Sequence, residues 1–472
     1  MTTSYLALEQ SPLTHARSGR LSSDRLSSEP LSSDFLQFEL ERDPRVSPAP
    51  SRSSSAVLST WLKTQSVNVS RHVGALQPFR DGEFGTGPES PSRAHVQAVN
   101  HMMRSLRKEL ETLACRVSNS ASLAVQDPRA PQFHRLLQQK DKGSEWVKRI
   151  EKIWDFYFEI FGQRRSRVGP LLLGADRVAL DCYQVIYTHL GVAKSIPTPG
   201  PFSYMETGFS PATFRRGIPL SKLGKQINPF PLIQLPYHRL VNPWTLGAIL
   251  HEVSHDLQTD LAMREVVPRA IAYRLKKAGM SPLVVSTWTG WHSEAWADLC
   301  GMLLGGPVMV ESLMDIAARS PQSTLGFVSG RPHPTPYLRL FMNTELLCRM
   351  GFQRQAQIYN QLWQRLYPNP TAGTIPAELL ATFVQANRLV VDTVCFTRYK
   401  ALGDRTLAEA TGSFSGKHQQ MIAEAGRRLA QGNDPGIIPE RFLIGASRYA
   451  LNHRLADANN ITQNFYRALG RR

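Results

Sequence analysis

The sequence predicts a mainly α fold of the α+β kind, in which a small β-sheet precedes residue 243 and helical segments flank it on both sides. Three observations predict it. Apolar residues recur at helical spacing through most of the chain from about residue 94 onward. A stretch dense in Pro, Gly and aromatics, 195–243, interrupts that pattern. Within it, the apolar run from Pro231 to Leu235 (PLIQL) reads as a strand.

Residues 1–92 are rich in Ser, Pro, Arg and Gly and carry a degenerate repeat, LSSD/LSSE/LSSD, at Leu21, Leu26 and Leu31. Such a composition buries too little apolar surface to offset the entropy of ordering it, so a disordered N-terminal region is expected. It would serve as a flexible tail, a phosphorylation platform or an export signal. From about Ala94, Val96, Val99, Met102, Met103, Leu106, Leu110 and Leu113 mark one face of an amphipathic helix. A second helix is expected over about 143–161, striped by Trp146, Ile150, Ile153, Trp154, Tyr157 and Ile160, and a third over 175–190. These make a helical N-terminal segment, 93–195. After the strand, helices are expected at about 243–265, 282–304, 307–319, 335–350, 376–400, 415–430 and 438–468. They divide into a core, 196–352, and a helical C-terminal segment, 353–472.

At 472 residues, 42% apolar and 20% charged, the chain has the composition of a soluble globular protein. No window approaches the ~18 uninterrupted apolar residues of a membrane span. The N-terminus lacks the basic start and apolar stretch of a secretory signal, so a cytoplasmic protein is expected, with non-classical export through the N-terminal region left open. Cys115, Cys182, Cys300, Cys348 and Cys395 are odd in number and form no CxxC pair, as expected of reduced thiols. The formal charge is +17, yet the first 95 residues balance to zero. The excess is spread through small clusters such as Arg164/Arg165/Arg167, Arg215/Arg216 and Lys276/Lys277. No motif for nucleic-acid binding accompanies them, so solvated basic faces are expected, and an acidic partner or substrate stays open.

Chemistry concentrates in NPWTLGAILHEVSHDL, which contains His251-Glu252-Val253-Ser254-His255, an HExxH. Asn242 suits the N-cap and Pro243 the first helical position. On that helix His251 and His255 project from one face, one turn apart, so two imidazole nitrogens can reach one zinc at about 2.0–2.1 Å. Glu252 then stands beside a metal-bound water, where a carboxylate can take its proton. HExxH alone is a weak signal, because a catalytic zinc needs a third protein ligand and a free position. The metzincin spacing would put that ligand at Leu261, which excludes that class. Downstream, TGWHSEAWADLCGMLLGG places Glu294 and Asp298 four apart, on one helical face.

This arrangement resembles the gluzincin metallopeptidases, in which the Glu of an ExxxD helix is the third zinc ligand. The form Glu294-Ala-Trp-Ala297-Asp298 looks most like the ExxAD of HtpX-like and CAAX-prenyl-protease-like peptidases. Those carry a later His-Pro…Arg element, matched here by His333-Pro334-Thr335-Pro336-Tyr337-Leu338-Arg339. The resemblance covers about residues 240–345 and implies a zincin-like catalytic core. It implies one Zn²⁺ per chain held by His251, His255 and Glu294, with Asp298 orienting His251 from behind. Glu252 would be the general base and the substrate a peptide or protein; His333 is read as a catalytic group that stabilises the oxyanion or helps bind substrate, with capping of the helix after Pro334 as the alternative. The chain departs from the pattern at Asp256, where zincins usually have an uncharged residue, and in having no spanning helices.

Other residues carry weaker expectations. His292 competes with Glu294 as third ligand but lies outside the ExxxD pattern. Arg339 is expected in a structural salt bridge, with a carboxylate near the site as the alternative partner, and Tyr237 and His238 are expected to be a polar strand end, with reach into the cleft as the alternative. Pro231–Leu235 would be the edge strand on which an extended substrate pairs. The competing readings are a non-catalytic zinc-containing interaction protein and a basic nucleic-acid-associated protein.

Overall fold

The computed structural model describes residues 54–191 and 194–472. The LSSD/LSSE/LSSD repeat lies outside the described residues. Two compact units are distinguished, 1–58 and 59–472, and the first is described only at residues 54–58.

The helices before the sheet are α1 Ser54–Ala75, α2 Arg93–Gln126, α3 Ala130–Gly162 and α4 Gly169–Leu190. The strands are β1 Phe202–Met205, β2 Ala212–Phe214, β3 Pro219–Leu220, β4 Gln226–Ile227 and β5 Leu232–Leu235. Next come α5 Tyr237–Leu240, α6 Gly247–Asp260, α7 Val266–Lys277, α8 Pro282–Gly290, α9 His292–Gly305 and α10 Val308–Ala317. The chain continues with α11 Pro321–Thr324, α12 Pro336–Arg349, α13 Gln353–Leu366, α14 Ala377–Phe396, α15 Leu407–Ala410, α16 Gly416–Ala430, α17 Phe442–Asn452 and α18 Ala458–Gly470. The fold is mainly helical with a small mixed sheet, as the sequence pattern predicts.

Four local expectations are corrected. Residues 54–75, read as part of a disordered stretch, form α1, which buries Leu62, Gln65 and Val69. Phe79 and Phe84 after it are also buried, so folded chain begins well before residue 93. The helix expected over 282–304 is two helices broken at Trp291, and that over 438–468 is α17 and α18. Pro231–Leu235 is no edge: the sheet order is β1-β5-β2, with β1 parallel and β2 antiparallel to β5. Both sides of β5 are therefore paired.

The sheet separates two cores within residues 59–472. Phe202, Tyr204 and Leu232 face the stripe of α2 and α3, together with Phe79, Phe84, Tyr157, Phe161 and Phe230. Ile233 and Leu235 face the other way, into the larger core that α4, α6, α9 and the C-terminal helices share. This is the two-residue alternation of a strand buried on both faces. The buried Arg164 joins the layers, donating from Nη1 to Asp176 Oδ2 of α4 at 2.6 Å and from Nη2 to the Ser203 carbonyl of β1.

The C-terminal helices are built into the same body as the HExxH segment. Arg441 pairs with Asp181 of α4 at 2.8 Å, and its Nε donates to the Leu304 carbonyl at 3.0 Å, satisfying one orphan carbonyl at the end of α9. α14 is long and apolar enough to span a bilayer by length and composition, but half of its most apolar window is buried in the protein. Leu379, Phe383, Ala386, Val390, Val391 and Val394 face the core.

Candidate metal centre

Two helices that approach closely make the site. Gly301 of α9 lies against α6, where a Cβ would stand 3.4 Å from the His251 backbone nitrogen and 2.7 Å from Met309 Cε. Gly247 opens α6 against α10, where a Cβ would stand 2.4 Å from Ser312 Oγ and 2.8 Å from its Cβ. The α6 register is set further forward than Asn242 predicts. Pro243–Thr245 is a 3-10 turn, α6 begins at Gly247, and the Asn242 amide donates to the His238 carbonyl instead of capping.

On α6, His251 and His255 bring their Nε2 atoms to 3.1 Å from each other. Glu294 of α9 closes the triangle, with Oε2 3.4 Å from His251 Nε2 and Oε1 3.3 Å from His255 Nε2. Ligand atoms about 2.0–2.1 Å from one tetrahedral zinc stand roughly 3.3–3.4 Å apart, and the three side chains approach one another at close to that spacing, the two Glu294 contacts being made through different carboxylate oxygens. The outward ring nitrogens fix this aim. His251 Nδ1 donates to Asp298 Oδ1 at 2.8 Å. His255 Nδ1 donates to Ser293 Oγ at 3.2 Å, and Ser293 donates on to Gln258 Oε1 at 3.1 Å. Both Nε2 atoms are then left with bare lone pairs, facing each other and a carboxylate. A cation resolves that arrangement, and two imidazoles with a carboxylate are a donor set that suits zinc.

Electrostatics point the same way. Burial alone lowers the His251 pKa, yet hydrogen bonds to Asp298 and Glu294 outweigh it and raise the value to about 10. Burial opposes ionisation of Glu294, but His255 and His251 hold its carboxyl well below the usual range. Asp298 is held down in the same way, chiefly by Arg339. Glu252 runs opposite: burial raises its pKa.

Behind His251, Asp298 receives Arg339 Nε at 2.5 Å and Nη2 at 2.7 Å, with Asn343 Nδ2 at 3.2 Å. Arg339 is therefore in a salt bridge, and the salt bridge is part of the site. Asn343 and Ser293 are contributions the sequence reading missed. Asn343 stands four residues after Arg339 on one helical face, a spacing that could have found it. Ser293 has no signal beyond adjacency to Glu294.

The cluster borders a cavity of about 140 Å³. Glu252 and His333 line it beside two of the three donors, His251 and Glu294. His333 Nε2 lies 3.6 Å from Glu294 Oε2, with its side chain 45% exposed. The far wall is apolar, from Ala248, Met309, Leu313 and Ile316, with Ser210 and Pro211 at one side. Four residues that the sequence singled out stay outside. His292 turns Nδ1 to the Thr289 carbonyl at 2.8 Å and is not in the donor group. Tyr237 is exposed, and His238 lies against Phe209, so neither lines the cavity. Asp256 points away from it: buried, it accepts Thr213 Oγ1 at 2.9 Å and ties β2 to α6, and burial pushes its carboxyl pKa well up.

No protein-family model, curated protein or solved structure matches this chain.

Proposed function

We propose that the chain is a zinc-dependent peptidase of gluzincin type, with zinc held by His251, His255 and Glu294. The observation that supports it most is the triangle of two Nε2 atoms and one carboxylate, with a second buried carboxylate, Glu252, on the adjoining cavity wall. A bound zinc supplies Lewis acidity, lowering the pKa of a coordinated water towards ~7 and polarising a carbonyl.

The chain's own residues do the rest. Glu252, whose burial favours the protonated form, accepts a proton from the attacking water and passes it to the leaving amine. His333, half-exposed on the cavity wall, donates to the oxygen on which negative charge develops. Arg339 and Asn343 hold Asp298, and Asp298 holds the His251 ring. The apolar wall of Met309, Leu313 and Ile316 receives a substrate side chain. The strand that leads into the cleft through Ser210 and Pro211 is β2, paired with β5 on one side, so an extended substrate would pair along β2.

Incubation with mixed peptide libraries tests the reading. Cleavage that stops on chelation and returns with zinc is the expected result. Zinc-loaded protein that leaves every library intact would contradict it.

A further inference from the structure

Close in the chain to two residues of the cavity wall, Ser210 and Ile316, one aromatic ring meets two guanidinium groups. Phe209, next to Ser210 in the chain, is 40% exposed. Arg319 Cζ lies 4.0 Å from its ring centroid and Arg239 Cζ 5.6 Å. Arg319 follows Ile316 by three residues, just past the end of α10, on a fixed backbone. Tyr367 Oη donates to its carbonyl at 2.7 Å, and its own N–H donates to Thr324 Oγ1 at 3.3 Å. Arg239, on α5, is only 6% exposed, and its buried Nε has no hydrogen-bond partner. Asp315 is the carboxylate that faces it, and Arg448 Nη1 already takes Asp315 at 2.5 Å.

Two guanidinium groups on one ring repel each other, and a buried donor left without an acceptor costs free energy. An incoming anion would offset the repulsion and offer the donors an acceptor. Guanidinium forks match a carboxylate in two hydrogen bonds, and the ring beneath holds them flat. We propose that Phe209, Arg239 and Arg319 form a subsite for an acidic side chain, so that the peptidase prefers substrates with Asp or Glu close to the cleaved bond. This rests on the peptidase reading. Extended chain covers about 3.3 Å per residue, and Phe209 adjoins a residue of the cleft wall, so the subsite falls within about three residues of that bond. The formal charge of +17 adds a long-range field that draws acidic chains to the protein.

The test uses full-length, zinc-loaded protein and three otherwise identical peptides carrying Glu, Gln or Lys at each position near a cleaved bond. At one position Glu should exceed Gln in kcat/KM by about ten- to a hundredfold, the factor that one charge-assisted hydrogen bond contributes. Lys should fall below both. Arg319→Gln should shrink the Glu-to-Gln ratio towards one, and Arg319→Glu should turn the preference towards Lys. A reversed preference is a gain that misfolding cannot produce. Equal cleavage of the three peptides would overturn the acidic subsite and leave the peptidase reading standing. No cleavage of any peptide would remove both.

Discussion

Asp298 Oδ1 lies 2.8 Å from His251 Nδ1, and Arg339 grips the same carboxylate from its other side with Nε and Nη2. The ring is therefore held by a buried anion that cannot itself turn. Asp298→Asn keeps the shape but removes the charge that binds Arg339 and enriches the His251 ring. Zinc affinity should fall roughly 10–100-fold, the usual cost of losing such a partner. Competition with a chromogenic chelator measures it. Wild-type affinity in the variant would mean that Asp298 has no part in holding the metal.

Glu252→Gln separates binding from chemistry. Glu252 is not among the three donors, so one zinc per chain should be retained. Peptide turnover should fall about 10²–10⁴-fold with loss of the proton acceptor. Metal analysis and initial rates on the same sample give both numbers, and turnover within twofold of wild type would take the base role away from Glu252.

Gly247 lies where α6 meets α10. A methyl group there would sit 2.4 Å from Ser312 Oγ and 2.8 Å from Ser312 Cβ, too close for the serine to rotate away. Gly247→Ala should therefore destabilise the fold by about 1–3 kcal/mol despite the better helix propensity of alanine. Urea denaturation at fixed zinc concentration checks the sign.

His95, on α2, gives a pH dependence outside the His251–His255–Glu294 cluster. Its Nε2–H donates to the Gly200 carbonyl at 3.0 Å and its Nδ1 accepts from Ser92 Oγ at 2.7 Å, so the ring is bound neutral. Burial lowers its pKa, against the Gly200 bond, which raises it. The unfolded chain then binds the proton more readily, and stability rises with pH. The His95 contribution is full above the unfolded value near 6.5 and is lost as pH falls towards the folded one. His95→Gln should make the urea midpoint less sensitive to a change from about pH 7.5 to about pH 5.5. An unchanged sensitivity would contradict this.

Local pattern carried much of this architecture. The four-residue spacings of His251/His255 and Glu294/Asp298 are visible in the chain because a helix repeats over that distance. The helical stripes of α2, α3 and α4 are visible for the same reason. What stayed hidden depends on partners distant in sequence. The central place of β5 is set by Phe202–Met205 and Ala212–Phe214, short strands without alternation long enough to recognise. α1 lacks a strong apolar stripe: only Leu62, Gln65 and Val69 are buried along 22 residues, and serines fill much of the rest. The link from Arg339 to His251 spans 88 residues and exists only once α6, α9 and α12 are packed.

The account depends most on where a zinc ion binds. Crystals of the zinc-loaded protein, measured on both sides of the zinc absorption edge, locate it directly. An anomalous peak about 2.0–2.1 Å from His251 Nε2, His255 Nε2 and a Glu294 carboxylate oxygen is the predicted result. Zinc bound elsewhere, or Glu294 turned away from an ion held by other groups, would contradict it.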